Sequence, residues 1–189
     1  MPDQGSEGLL SPYLRKRRIK AALPYISGRV LDVGCGSGEM ASFILTENYL
    51  GVDIDEESLI IAKRKYPLHL FQHEMPPVGE QFDCVISLAV IEHVDDPLPF
   101  LETLAKHLKS GSESNIVLTS PNPIAGRLHN IGSRIGLFSR SGNEEHERLL
   151  NYSDFMQLAV ASGLDLKLYQ RFLLGMNQLV IYQKEVINL

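Results

Sequence analysis

The chain has 189 residues, 44% hydrophobic and 22% charged, with a formal net charge of -5 at neutral pH. That length and balance fit one folded domain with a sizeable core, here 1–189, and argue against a dedicated nucleic-acid binder, which carries a basic surplus. Two cysteines make no disulfide framework, no apolar run nears the roughly 20 residues that span a bilayer, and the N-terminus shows no secretory h-region, so a cytoplasmic protein is expected.

In chain order, a helix is predicted within about 9–26, with Leu14, Ile19, Ala22, Leu23 and Ile26 on or near one side. Its R-K-R-R run at 15–18 reads as a solvated helix face. A buried strand follows at 29–34. Gly34, Gly36 and Gly38 then lead into a helix at 39–47, and a second strand covers 49–54. Asp55 suits an N-cap, with Glu56 and Glu57 at the positive end of a helix that stops before Pro67. Strands are predicted at 68–72 and 82–88. Asp96-Pro97 opens a helix with the stripe Leu98, Leu101, Leu104, Ala105 and Leu108, ended by Gly111. A fifth strand spans 115–120. Ser153 caps a later helix whose inner face is Phe155, Leu158 and Ala159, closed by Gly163, and strands at 164–171 and 177–184 form a hairpin around Gly175.

Strands that alternate with helices imply a mostly parallel sheet covered on both faces. In such sheets a ligand sits beyond the carboxyl ends of the strands, where strand order reverses. The stretch V-L-D-V-G-C-G-S-G lies at such an end. Its glycine spacing departs from the dinucleotide G-x-G-x-x-G, because the third glycine comes one position early and Glu39 fills the usual place. Asp32 and Glu39 would repel a pyrophosphate and attract a ligand that carries an ammonium and a sulfonium, such as S-adenosyl-L-methionine. Asp53, at the end of the second strand, offers an acceptor for ribose hydroxyls.

V-L-D-V-G-C-G-S-G, G-V-D-I-D and F-D-C-V-I-S-L-A-V-I-E-H-V-D-D-P together resemble the class I S-adenosylmethionine-dependent methyltransferases. The resemblance implies an α/β, Rossmann-like three-layer αβα sandwich on a seven-stranded, mostly parallel sheet with an antiparallel last strand. By that likeness Asp32, Gly34, Gly36 and Gly38 hold the methionine moiety, Asp53 with Ile54 the ribose side, and Ser87 and Leu88 lie beside the methyl group. The family's usual acidic contact to adenine is missing from F-Q-H-E-M-P-P, which leaves Gln72, His73, Glu74 and Met75 as candidates.

Methyl transfer needs mostly in-line positioning, with a base where the nucleophile carries a proton. His93, after the fourth strand, and His146, in E-E-H-E-R, are the candidate catalytic bases. In ubiquinone-biosynthesis O-methyltransferases an E-x-x-E-H arrangement binds a metal. Here Glu92 and His93 match but Ala89 replaces the first glutamate, so no metal is expected. The segment 121–150 reads as a substrate lid with a short helix near 124–135, and Arg127, Arg134 and Arg140 would suit an anionic substrate. The strand end S-P-N-P with the later H-E-R resembles bacterial methyltransferases of small molecules, glycans or lipid-linked precursors. The expected function is methyl transfer to such an acceptor, without a nucleic-acid partner or a membrane span. The alternative is a regulatory protein that binds the same cofactor without catalysis, and a nicotinamide-dependent oxidoreductase is disfavoured by the glycine spacing and Asp32.

Overall fold

The computed structural model describes residues 11–111, 113–123 and 149–184. Among these, strands β1 Val30–Val33, β2 Tyr49–Val52, β3 Leu70–Gln72, β4 Cys84–Leu88, β5 Asn115–Pro121, β6 Leu164–Phe172 and β7 Asn177–Lys184 form one seven-stranded sheet in the order β3-β2-β1-β4-β5-β7-β6. β1 to β5 pair in parallel, and β7 runs antiparallel to both neighbours. The α/β sheet and its terminal hairpin are those expected. Strand order reverses between β1 and β4, so the β1 end is the switch point where the glycines sit.

Alternation along the strands builds two cores. Leu31, Leu50, Val85 and Leu118 meet α3 Pro97–His107 and α4 Tyr152–Ser162 through Leu101, Leu104, Phe155 and Ala159. Val30, Tyr49, Ile86 and Val117 meet α1 Ser11–Ala22 and α2 Glu56–Lys65 through Ile19, Ala22, Leu59 and Ala62. Three layers result, with the inner strands buried on both faces. Among the described residues no helix is long and apolar enough to cross a membrane.

Most strand ends shift by one or two residues, and four helix boundaries differ from the sequence reading for reasons visible in the structure. The helix expected at 39–47 is two short 3-10 turns, Glu39–Phe43 and Thr46–Asn48. Gly38 precedes it in the left-handed region without a side-chain cap, and the His69 ring meets the Ile44 carbonyl at 3.1 Å. A straight helix would also carry the chain away from Tyr49 with no residues left to return. The first helix ends at Ala22, where Pro24 sits in a 3-10 turn, Leu23–Tyr25. α3 ends at His107 rather than near Gly111, because Leu108 bridges Phe82: the Phe82 amide donates to the His107 carbonyl at 2.8 Å and the Lys109 amide to the Phe82 carbonyl at 2.9 Å. α4 is capped by Asn151, not Ser153. The Asn151 side chain accepts from the Ser153 and Asp154 amides, and the Asp154 carboxylate in return accepts from the Asn151 amide. Asp55 and Asp96 cap α2 and α3 as expected.

Candidate cofactor site

Asp32 shares its sheet face with Val30, looking toward the α1–α2 layer. The parallel register sets Val30 beside Tyr49 and Asp32 beside Gly51. Gly51 has no side chain to intervene, and the buried Tyr49 hydroxyl donates to Asp32 Oδ2 at 2.7 Å. A Cβ at Gly51 would lie 2.7 Å from Phe71 Cδ1 and 3.0 Å from Cys35 Sγ. Asp32 is 3% exposed. Burial pushes its carboxyl up to about 7, against the Tyr49 hydrogen bond and with the charges of Asp53 and Glu39.

The loop after β1 folds back on β2: the amides of Gly34 and Cys35 both donate to the Val52 carbonyl, at 2.8 and 3.0 Å. Gly34, Gly36 and Gly38 have φ of 76°, 52° and 78°. All three therefore sit where side chains are strained. Their surroundings differ. A Cβ at Gly34 would come within 2.3 Å of Val90 Cγ2, and one at Gly38 within 2.8 Å of Phe71 Cζ. A Cβ at Gly36 meets nothing within 4 Å. Two of the glycines thus answer to the chain's own packing. Gly36 fronts open space, the cradle where a ligand can approach bare backbone.

Asp53 Oδ2 accepts the Gly36 amide at 2.6 Å, and its Oδ1 accepts the Asp55 amide at 2.9 Å. Ile54 stands next to it, 85% exposed. Past β3, Gln72 turns its amide onto the Glu74 carbonyl at 2.7 Å. His73 and Glu74 are exposed, and Met75 packs against the α3–α4 core. Of the four adenine candidates, Gln72 and Met75 are engaged within the protein, while His73 and Glu74 face outward.

Glu39 departs from its expected part. Its Oε1 accepts from Ser37 Oγ at 2.9 Å and from Arg15 of α1 at 3.2 Å, and lies 3.5 Å from Lys65 of α2. Burial works to raise its carboxyl, but the Ser37 hydroxyl, Arg15 and Lys65 together hold it below the usual value. Glu39 is balanced by cations, so the negative character of the site comes from Asp32 and Asp53. The run at 15–18 is likewise only half solvated, since Arg15 ties α1 to the glycine loop and Arg18 donates to Asn177 Oδ1 at 2.9 Å.

On the β4 side the Ser87 hydroxyl is buried and donates to the Val33 carbonyl at 2.9 Å, joining the ends of β1 and β4. Leu88 is half-buried. Ala89 turns the chain with φ 61°, its amide on the Thr119 carbonyl at 2.8 Å. A 3-10 turn, Ile91–His93, then buries Glu92 and leaves His93 exposed. His146, Arg127, Arg134, Arg140 and the expected helix at 124–135 lie outside the described residues. Among the described residues no group of three His, Cys, Asp or Glu side chains is placed to hold a metal ion.

Tyr49 and Lys65 were not singled out for the site by their sequence context. For Tyr49 a signal existed: Y-L-G-V-D puts an aromatic two residues before a glycine on the face that Asp32 shares.

With this geometry in place, comparison with known proteins gives the class. A family model described as a methyltransferase domain matches residues 10–166, and the chain belongs to that family. A ubiquinone biosynthesis O-methyltransferase from Ruegeria sp. (strain TM1040) is 28% identical over 160 residues, 79% of this chain and 65% of that protein, so the chain spans just under two thirds of the curated relative. An S-adenosylmethionine-dependent methyltransferase from Clostridium acetobutylicum shares the fold at TM-score 0.66 and 13% identity, over 89% of each chain. Magnesium protoporphyrin IX methyltransferase from Synechocystis PCC 6803, solved with bound SAH, superposes at TM-score 0.69 and 16% identity, over 96% of this chain and 90% of that one.

Proposed function

We propose that the chain binds S-adenosyl-L-methionine at the β1–β2 ends and transfers its methyl group to a small molecule or a glycan or lipid-linked precursor. The observation that carries the reading is the open cradle at Gly36 beside two carboxylates, Asp32 and Asp53, in a member of the methyltransferase family. The cofactor supplies a methyl already activated by a sulfonium. The protein's part is binding and orientation. Asp32 gives the methionine end a negative surrounding. The Gly34–Gly38 loop offers backbone without side chains, and Asp53 offers acceptors to ribose hydroxyls. Ile54, His73 and Glu74 border the adenine side. The turn after Leu88 bounds the methyl side, with Ser87 fixing it to β1. His93, exposed at that rim, would take the proton of an acceptor hydroxyl. The curated relative named above is an O-methyltransferase, which favours an oxygen acceptor.

The test is calorimetric titration with S-adenosylmethionine and, separately, NAD. It is followed by incubation of the methyl-labelled cofactor with fractionated extracts. Binding of S-adenosylmethionine alone, with S-adenosylhomocysteine appearing in some fraction, supports the reading. Binding of NAD, or of neither, overturns it. Tight binding without turnover in any fraction would favour a regulatory binder. His93→Ala should then lower turnover strongly with cofactor affinity kept, and normal turnover removes the base from His93.

A further inference from the structure

Tyr49 stands outside every motif used so far, yet its hydroxyl reaches the Asp32 carboxylate. Its ring is buried at 3% exposure, edge-on to Phe71 and to His69 at 5.6 Å each, so it has little freedom to leave. Its own phenol is pushed up by burial and by Asp32, so it keeps its proton and remains a donor.

The charged and titratable groups around Asp32 come from every neighbouring element. Tyr49 and Asp53 face it from β2 and its end, the Cys35 thiol from the glycine loop, and Glu39 from the turn beyond. Arg15 of α1 and Lys65 of α2 spend their charge on Glu39. His69 meets the Tyr49 and Tyr66 rings and sets its ring nitrogen against the Ile44 carbonyl, and β4 pairs with Asp32 through Ile86. The cations are therefore on the far carboxylate. Among the described residues Asp32 has burial and two negative neighbours against it, and the Tyr49 hydroxyl for it.

Building on the cofactor reading above, we infer that Tyr49 is a positioning residue of the site, whose hydroxyl keeps the buried Asp32 carboxylate ionised near neutral pH and thereby sets the pH above which a cationic cofactor binds tightly. The sign follows from linkage. A ligand with an ammonium and a sulfonium prefers the ionised carboxylate, so affinity is low while Asp32 is protonated and rises as it loses its proton. With the carboxyl at about 7, affinity climbs through neutrality and levels off above it. Without the Tyr49 hydrogen bond the ionised form loses its donor, and the climb moves to higher pH.

The experiment is calorimetric titration of S-adenosylmethionine from pH 6 to pH 9 into the full chain, Tyr49→Phe and Asp32→Asn. The ligand's own ammonium titrates alike in all three, so differences between profiles belong to the protein. The unaltered chain should gain about tenfold in affinity between pH 6 and pH 8 relative to Asp32→Asn, the ratio of ionised fractions for a group near 7. Tyr49→Phe should bind several-fold more weakly at pH 7 and recover toward pH 9. A Tyr49→Phe profile superposable on the unaltered one, or an unaltered profile parallel to that of Asp32→Asn, overturns the inference and leaves the cofactor reading standing. No binding at any pH overturns both. Should Tyr49→Phe not fold, carbon-13 titration of the Asp32 carboxyl, assigned with Asp32→Asn, takes its place. A midpoint near neutrality, with the Tyr49 ring signals moving at the same midpoint, supports the inference, and a midpoint in the ordinary carboxylate range overturns it.

Discussion

Asp53 and Gly36 are joined across the sheet end: the Gly36 amide donates to Asp53 Oδ2 at 2.6 Å, while the other carboxylate oxygen takes the Asp55 amide at 2.9 Å. The end of β2 therefore holds the middle of the glycine loop and the start of α2 in one place. Each is a hydrogen bond to an ionised acceptor, of the kind that contributes about 1.5–3 kcal/mol. Asp53→Ala should remove most of the cofactor affinity in calorimetry and lower stability by about 3 kcal/mol or more in urea unfolding, the loss of two such bonds. Unchanged affinity would take the ribose role away from Asp53.

The three glycines should respond differently to a methyl group. At Gly34 the new Cβ would sit 2.3 Å from Val90 Cγ2, so Gly34→Ala combines left-handed strain with overpacking and should cost about 2–4 kcal/mol. Gly34→Ala with Val90→Ala should regain part of that loss. At Gly36 the space is open, so Gly36→Ala should cost only about 1 kcal/mol of strain yet lose cofactor affinity. Thermal melts with calorimetry on the three variants check both orders. Equal destabilisation at 34 and 36 would contradict the assignment.

The sheet was legible in the chain order of apolar runs because parallel strands buried on both faces read as continuous apolar stretches. The strand of 177–184 was placed to the residue, and Asp55 and Gly163 did what such residues do at helix ends. Two of the misplacements come from contacts with distant residues. Phe82 captures Leu108 and ends α3 early, and His69 meets the Ile44 carbonyl in the stretch read as a helix after the glycines. In the candidate site, Asp32, Gly36 and Asp53 were picked out by residue type, and the structure brings them to one end of the sheet. It was not legible where the partner comes from another element. Tyr49 reaches Asp32 only through the β1–β2 register, and Glu39, read as a free negative charge, is met by cations from α1 and α2.

Gln178 should be among the costliest polar residues to remove. Fully buried on β7, its Nε2 donates to Ser120 Oγ at 2.9 Å, the Pro121 carbonyl at 3.1 Å and the Leu150 carbonyl at 2.6 Å. Its Oε1 accepts from Tyr169 OH at 2.8 Å and Asn122 Nδ2 at 3.0 Å. Truncation strands several buried partners at once, and each left unsatisfied costs about 1–3 kcal/mol. Gln178→Leu should lower the urea unfolding free energy by about 3 kcal/mol or more with the slope unchanged. A loss under 1 kcal/mol would mean that these groups find other partners.

Asp32 should cost the fold stability. Its carboxyl stands near 7 when folded, against an ordinary value of 3.8. Between those values the folded chain holds a proton that the unfolded chain has released. The slope of unfolding free energy with pH is therefore negative for this group: its penalty is absent below about pH 4, grows through the window and is complete above about pH 7. The full penalty is of the order of 4 kcal/mol. Asp32→Asn keeps an acceptor for the Tyr49 hydroxyl and has no proton to lose. In urea unfolding the variant should exceed the unaltered chain by only about 1 kcal/mol at pH 4.5 and by about 4 kcal/mol at pH 8. At pH 8 it should also bind S-adenosylmethionine more weakly, so stability and affinity move in opposite directions. A variant less stable by the same amount at both pH values would show that Asp32 is ordinary in its ionisation and that its burial serves packing alone.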